Sequence, residues 1–341
     1  MRFSELYTHA AFRTTNKLSV IKQYSGKSLS STLTLNHSIW SFRSIAIQQL
    51  LISRLQAALD LYIPDSLVLN QLKSHHFWRR VRENHRFLYV CAIALQLSQA
   101  QNIPPVEIAR AIANHFHQIS HKLDSANESN FTVQVLSSGW LQVELTEVTI
   151  AAWLQHLSQV KLDTNREFQC STQTPHASSP HCFKPTNSTA TSLFAVQHAH
   201  ARCCSLLQLA QRSKLITLRL ESTPSSRSVW LIDDPYPIPW LNPAAKLRLV
   251  DPAERTLIAL LIDLIDQLYC PSPARRSVNW GKVALDLSHA FQQFHRHCRI
   301  WGEVQQTPQL AQARLGLVLV TQSLLQLILQ DLLNVSAPRE L

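Results

Sequence analysis

The run Lys73-Ser-His-His-Phe-Trp-Arg-Arg-Val-Arg-Glu-Asn-His-Arg86 packs five cations, three histidines, Phe77 and Trp78 into fourteen residues. Lys73, Arg79, Arg80, Arg82 and Arg86 could neutralise phosphates, and Trp78 could stack on an unpaired base. The same composition also fits a solvated loop with one aromatic anchor in the core. A second grouping is Cys298 with His295 or His297. Positions three apart on a helix share a face, so a Cys/His nucleophile could be assembled; a buried core cysteine is the alternative. A third is Cys170, His176, His181 and Cys182. These are zinc-ligand types, but their spacing matches none of the common zinc patterns and equally describes a linker that happens to hold them. We expect no catalytic residue, no metal and no cofactor.

The elements that must position these residues follow from periodicity. Residues 42–62 place apolar side chains at helical spacing and end at Pro64 and Asp65. Leu88 to Ala100 reads as a second helix, and Pro104 and Pro105 open a third from Val106 to about Ile119. Phe131 to Leu145 alternates around a Ser137-Ser138-Gly139 turn, a hairpin pattern, and Val148 to Leu157 reads as a closing helix. Residues 42–157 thus read as a small α+β domain. Residues 158–192, rich in Ser, Thr, Pro and Asn from Lys161 onward, read as a linker. Residues 193–341 read as a helical domain, with helices over 193–212, 251–269, 280–301 and 308–334. Between the first two of these, 214–250 holds a possible strand pair and a proline-rich turn, Asp233 to Trp240. The expected fold class is mainly α: a C-terminal helical bundle preceded by a small α+β domain. Residues 1–40 carry Arg2, Arg13, Lys17, Lys22 and Lys27 against the single acid Glu5, the composition of a transit peptide or a disordered basic tail. Leu315 to Leu333 carries no charge until Asp331, but Gln322, Gln326 and Gln330 make a polar stripe, so we expect a helix packed in a protein core and no membrane partner.

Composition narrows the function classes. The chain has 341 residues, 45% hydrophobic and 16% charged, with a net charge of +10. Domains run about 100–200 residues, which suggests two. Its five glycines (26, 139, 281, 302 and 316) are scattered. Phosphate-cradling loops need clustered glycines, so P-loop and dinucleotide sites are excluded. A pI near 9.5 favours an anionic partner, nucleic acid first. Seven cysteines, an odd number, read as reduced thiols of an intracellular protein.

Four blocks in order then resemble arginyl-tRNA synthetases. Val196-Gln-His-Ala-His-Ala-Arg-Cys-Cys-Ser205 resembles their QYAHAR helix. Leu285 to Arg299, Ala313 to Leu317 and Leu332 to Leu341 resemble their DALR anticodon-binding domain. Upstream, Pro105 to Ala109 with Ile112, Gly139 to Leu145, and Tyr89, Ala94 and Leu97 resemble the additional N-terminal domain of the same family. The resemblance covers about 42–157 and 194–341. It implies tRNA as partner, arginine isoacceptors first, a cytoplasmic location, and a second RNA-binding set of His198, Arg202, Gln292, His295, Arg299, Arg314 and Leu341. In the family a large catalytic domain with HIGH and KMSKS signatures lies between these parts; here the 158–192 linker takes that place, and neither signature occurs. The resemblance therefore implies a non-catalytic tRNA-binding protein; the alternatives are a protein–protein module joined to a synthetase or other translation protein, or an accessory subunit of a split synthetase. His198 and His295 replace family tyrosines, Gln292 an asparagine and Leu341 a methionine. Phe87, Leu88 and Ala92 replace the glycine, aspartate and asparagine of a family segment that meets the tRNA D-loop.

Overall fold

A computed structural model describes residues 45–63, 78–83, 86–123, 131–162, 187–222, 228–270, 278–302 and 306–341. Residues 1–40, Lys73, and the Cys170, His176, His181 and Cys182 group lie outside these.

Helix α1, Ile47–Tyr62, buries Ile47, Leu50, Leu51, Leu55, Ala58 and Leu59, the three-and-four spacing that puts one stripe inward. Four strands follow as β1 (Trp78–Glu83), β2 (Arg86–Cys91), β3 (Phe131–Val135) and β4 (Leu141–Leu145). They form an antiparallel sheet in the order β1-β2-β4-β3. Between β2 and β3 run α2, Ile93–Gln101, and α3, Pro105–Leu123. Gly139 closes the β3–β4 turn at φ +84°, and a Cβ there would lie 2.5 Å from that of Pro105, so conformation and space both require glycine. Thr146 then caps α4, Glu147–Gln159, accepting from the Thr149 N–H at 3.2 Å.

Leu88 to Ala100 is not one helix. Leu88 to Cys91 pairs with Leu141 to Glu144, making β2 an inner strand, and the helix starts only at Ile93. Phe87, Leu88 and Tyr89 are all buried. An inner strand covered on both faces is a continuous apolar run, which periodicity cannot distinguish from a buried helix.

The helical part comprises α5 (Asn187–Arg212), α6 (Pro252–Tyr269), α7 (Trp280–His297) and α8 (Pro308–Leu327), the last continuing as a π-turn, Ile328–Leu332. Helix α5 starts before the expected 193. The hairpin β5 (Thr217–Ser222) and β6 (Ser228–Asp234) stands between α5 and α6. A capping box opens α6: Asp251 accepts from the Ala253 N–H at 2.8 Å, and Glu254 accepts from the Asp251 N–H at 2.9 Å. Pro308–Leu332 is long and apolar enough to cross a membrane, but 78% of its apolar window is buried inside the protein. Its glutamines form a ladder: Gln322 Nε2 donates to Gln326 Oε1 at 3.2 Å, and Gln326 Nε2 donates to Gln330 Oε1 at 3.1 Å.

One continuous apolar core runs through both parts, from Ile45 to Leu329. Helix α1 packs on α6, and α4 on α8. Polar ties cross the same boundary. Gln155 Oε1 accepts from the Ile238 N–H at 2.9 Å and from the Trp240 indole at 3.0 Å. Asp266 accepts from the Gln48 N–H at 3.0 Å and from the Tyr89 hydroxyl at 2.6 Å.

Candidate nucleic-acid interface

The structure separates the two candidate surfaces sharply. Strand alternation puts Trp78, Arg80 and Arg82 on one face of β1 and Arg79 on the other. Register sets them opposite Cys91, Tyr89 and Phe87 of β2, and Arg80 and Arg82 reach α6. Trp78 is only 4% exposed, edge-on to Phe116 at 6.3 Å. It offers no free ring face, so the expectation that it stacks on a base is corrected: Trp78 is a core anchor. Arg80 donates to the Ala259 carbonyl and to Asp263 Oδ1 at 2.5 Å, and Arg82 donates to Asp263 Oδ2 at 2.5 Å. Arg86 forks onto Glu144, its Nε donating to Oε1 at 2.8 Å, and this bond holds the Glu144 carboxyl below the usual carboxylate range. Arg79 is exposed. Arg80 and Arg82 thus fasten β1 to α6 and do not form a free cationic surface.

The second set is coherent. Phe194, His198 and Arg202 stand four residues apart on α5, so they line one exposed face. Phe194 is 57% exposed, and its ring lies 6.5 Å from that of His198. Helix α7 packs beside α5. It presents Gln292 and, just past its end, Arg299, both exposed, with His295 half-buried between them against Phe291 at 6.2 Å. Burial lowers the His295 pKa, and the nearby Arg202 guanidinium lowers it further. His295 therefore stays neutral, keeping one donor, one acceptor and a ring face. Sequence reasoning missed Phe194, although its helical spacing from His198 signals it.

Arg314 does not belong to this face. Its Nε donates to Glu254 at 2.7 Å and its Nη1 to the Arg299 carbonyl at 2.5 Å, and it is 8% exposed. The expectation of RNA contact there is corrected: Arg314 neutralises a fully buried carboxylate. Leu341 is 66% exposed, at the end of a tail strapped along α5. Gln197 Nε2 donates to the Ser336 carbonyl at 2.9 Å, and buried His200 bonds the Pro338 carbonyl through Nδ1 at 2.8 Å. The Gln322 amide lies 2.9 Å from His200 Nε2. Burial and then Arg339 hold the His200 pKa down, despite the Pro338 carbonyl. The neutral tautomer with hydrogen on Nδ1 satisfies both contacts, with the Gln322 N–H donating to Nε2.

Cys298 takes the buried-core alternative. Cys298 is buried, and burial, with Glu254 and Asp251 adding to it, pushes its thiol up to about 12. A thiol that stays protonated is not a nucleophile. Among the described residues no cluster of three or more His, Cys, Asp or Glu could hold a metal ion.

Residues 239–341 match the DALR anticodon binding domain. The arginine–tRNA ligase of Synechococcus sp. is 30% identical over 146 residues, covering 43% of this chain and 22% of that protein. The ligase of Gloeobacter violaceus is 34% identical over 151 residues, again 43% and 22%. That of Moorella thermoacetica is 31% identical over 150 residues, 44% and 22%. The alignments thus span about a fifth of the length of these relatives. No solved structure matches the chain. The chain is similar to arginine–tRNA ligases, and residues 239–341 carry the match to their DALR anticodon-binding domain.

Proposed function

We propose that this protein binds tRNA through the α5–α7 face and does not itself activate arginine. The observation that carries this reading is the exposed line Phe194, His198 and Arg202 lying beside His295, Gln292 and Arg299, next to the anticodon-binding match. Rings supply stacking platforms for unpaired bases, and guanidiniums supply phosphate contacts. The scattered glycines support the non-catalytic part, since a nucleotide-cradling loop of the common kinds cannot be built from them. Histidine at 198 and 295 can still stack and hydrogen-bond where the family has tyrosines, and the similarity to arginine–tRNA ligases favours arginine isoacceptors as ligands.

The test is filter binding to total tRNA at several salt concentrations, with sequencing of the retained species, alongside an aminoacylation assay. Retention is expected, with log K falling by about 0.7–0.9 per phosphate contact for each decade of salt. The combined His198→Ala and Arg202→Ala variant should lose about tenfold or more in affinity. No arginine should be charged onto tRNA by the protein alone. An affinity no better than that of an unrelated protein of equal charge would overturn the binding reading.

A further inference from the structure

The β5–β6 hairpin has one occupied side and one open side. Helices α4 and α8 serve β6: Gln159 Nε2 donates to the Ile232 carbonyl at 3.2 Å, and Gln326 Nε2 donates to the Ser228 carbonyl at 3.3 Å. Both carbonyls therefore point away from β5. In an antiparallel pair, residues that bond each other alternate with residues whose N–H and C=O point outward. Ser228 and Ile232 lie opposite Ser222 and Leu218, and Trp230 between them lies opposite Leu220. The alternation thus turns the N–H and C=O of Leu218, Leu220 and Ser222 outward from β5. Among the described residues no third strand pairs with that edge. Thr217, Arg219, Leu220 and Ser222 are exposed, Leu220 at 54%. Lys161 meets only the far end, donating to the Ser222 carbonyl at 3.2 Å and pairing with Glu221 at 2.8 Å. An open edge is a template for another strand, and lysine, proline or a bulge usually blocks it. From Leu218 to Ser222 β5 has none of these.

The charges select the occupant. Arg219 and Glu221 stand two apart, on one face of the strand. When β5 pairs antiparallel with a second β5, a two-fold axis at Leu220 sets Arg219 of each copy opposite Glu221 of the other. An axis at Arg219 or at Glu221 sets like charges opposite each other, and a slip of one residue turns every side chain to the wrong face. Arg219 already meets Glu221 and Asp233 of its own chain, so the second copy completes a square of alternating sign. On the other face, the Trp230–Leu220 row of one copy runs on into that of the other. We propose that two copies of this chain associate edge to edge through β5, about a two-fold axis at Leu220, joining the hairpins into one four-stranded antiparallel sheet. The Leu220 N–H of each copy donates to the Leu220 carbonyl of the other, an isologous contact in which each surface is its own complement. The surface joined is small, so the association is weak and concentration-dependent.

The experiment is analytical ultracentrifugation of the full chain across concentration. The mass should climb from 38.7 kDa toward twice that value as concentration rises. Leu220→Pro removes an outward N–H that the hairpin does not use, and it should weaken association about tenfold or more. Arg219→Glu makes both charged positions acidic, and Glu221→Arg makes both basic. Each variant alone sets like charges opposite and should weaken association about tenfold. An equimolar mixture of the two should associate again, because each copy supplies the sign that the other lacks. That recovery separates lost pairing from lost folding. A parent that stays at 38.7 kDa up to about 1 mM overturns the proposal. Association that survives all three variants assigns the contact to another surface and overturns it as well. So does a mixture that fails to recover after both charge variants have lost association.

Discussion

Gly316 on α8 shows how a single position fixes packing. A Cβ there would lie 2.5 Å from Trp240 Cη2, 2.9 Å from Cζ2 and 3.1 Å from Ile238 Cδ1. The Trp240 ring cannot retreat: it is fully buried, and its indole N–H is bonded to Gln155 Oε1 at 3.0 Å. Two effects oppose each other in Gly316→Ala. Helix propensity favours alanine by up to about 1 kcal/mol, and overpacking a rigid core costs about 1–3 kcal/mol. The clash wins, so the variant should lose about 1–2 kcal/mol in urea unfolding. A variant as stable as the parent would show that the α8–Trp240 contact has slack. Sequence alone displays Gly316 within the Ala313 to Leu317 block, but the ring that demands it lies 76 positions away in the chain (316 − 240), where no periodicity reaches.

At the scale of elements, legibility follows the physics of each signal. The helices over 251–269 and 308–334 were readable because period and start signals agree: Pro252 and Pro308 both sit at first helical positions. Strand β2 was not, because an inner strand and a buried helix present the same apolar run. The shared exposed face of His198 and Arg202 was legible in their helical spacing, and His295 lies beside it on α7. Trp78 and Arg314 were misread because burial is decided by partners distant in sequence: Trp78 meets Phe116 of α3, and Arg314 meets Glu254. That last pair clamps the start of α6 to α8 and supports Arg299 through its carbonyl. Glu254 is fully buried, so removing its cation strands a charge out of water. Arg314→Leu should therefore cost about 3–5 kcal/mol, and adding Glu254→Gln should recover part of it, since the pair is worth less than the penalty for breaking it. Chemical unfolding of both single variants and the double variant checks this. Equal destabilisation in the single and double variants would mean that Arg314 acts through packing and the Arg299 carbonyl instead.

At the scale of the whole molecule, Asp266 joins the two parts. It sits on α6, accepts from Gln48 of α1 and Tyr89 of β2, and is 7% exposed. Burial raises its pKa from 3.8 to about 6, outweighing the Tyr89 and Gln48 hydrogen bonds and the Arg80 charge that favour the carboxylate. The folded state therefore holds this proton at a pH where the unfolded chain has released it. The stabilisation from that proton is complete below about pH 4 and is lost as pH rises through about 6, a change of roughly 3 kcal/mol for a shift of this size. Glu144 runs the other way. Its lowered pKa contributes stability above the usual carboxylate range that is lost as pH falls, so the bulk curve mixes opposing slopes. The difference between parent and Asp266→Asn isolates the joint. Asparagine keeps the shape and an oxygen for the Gln48 N–H but has no proton to exchange. Stability measured from pH 4 to 7 should converge on the parent's or exceed it as pH rises, the gap following one titration near 6. A gap that stays constant across that range would show that Asp266 keeps one protonation state throughout, and that its contacts with Tyr89 and Gln48 hold the two parts together independently of pH.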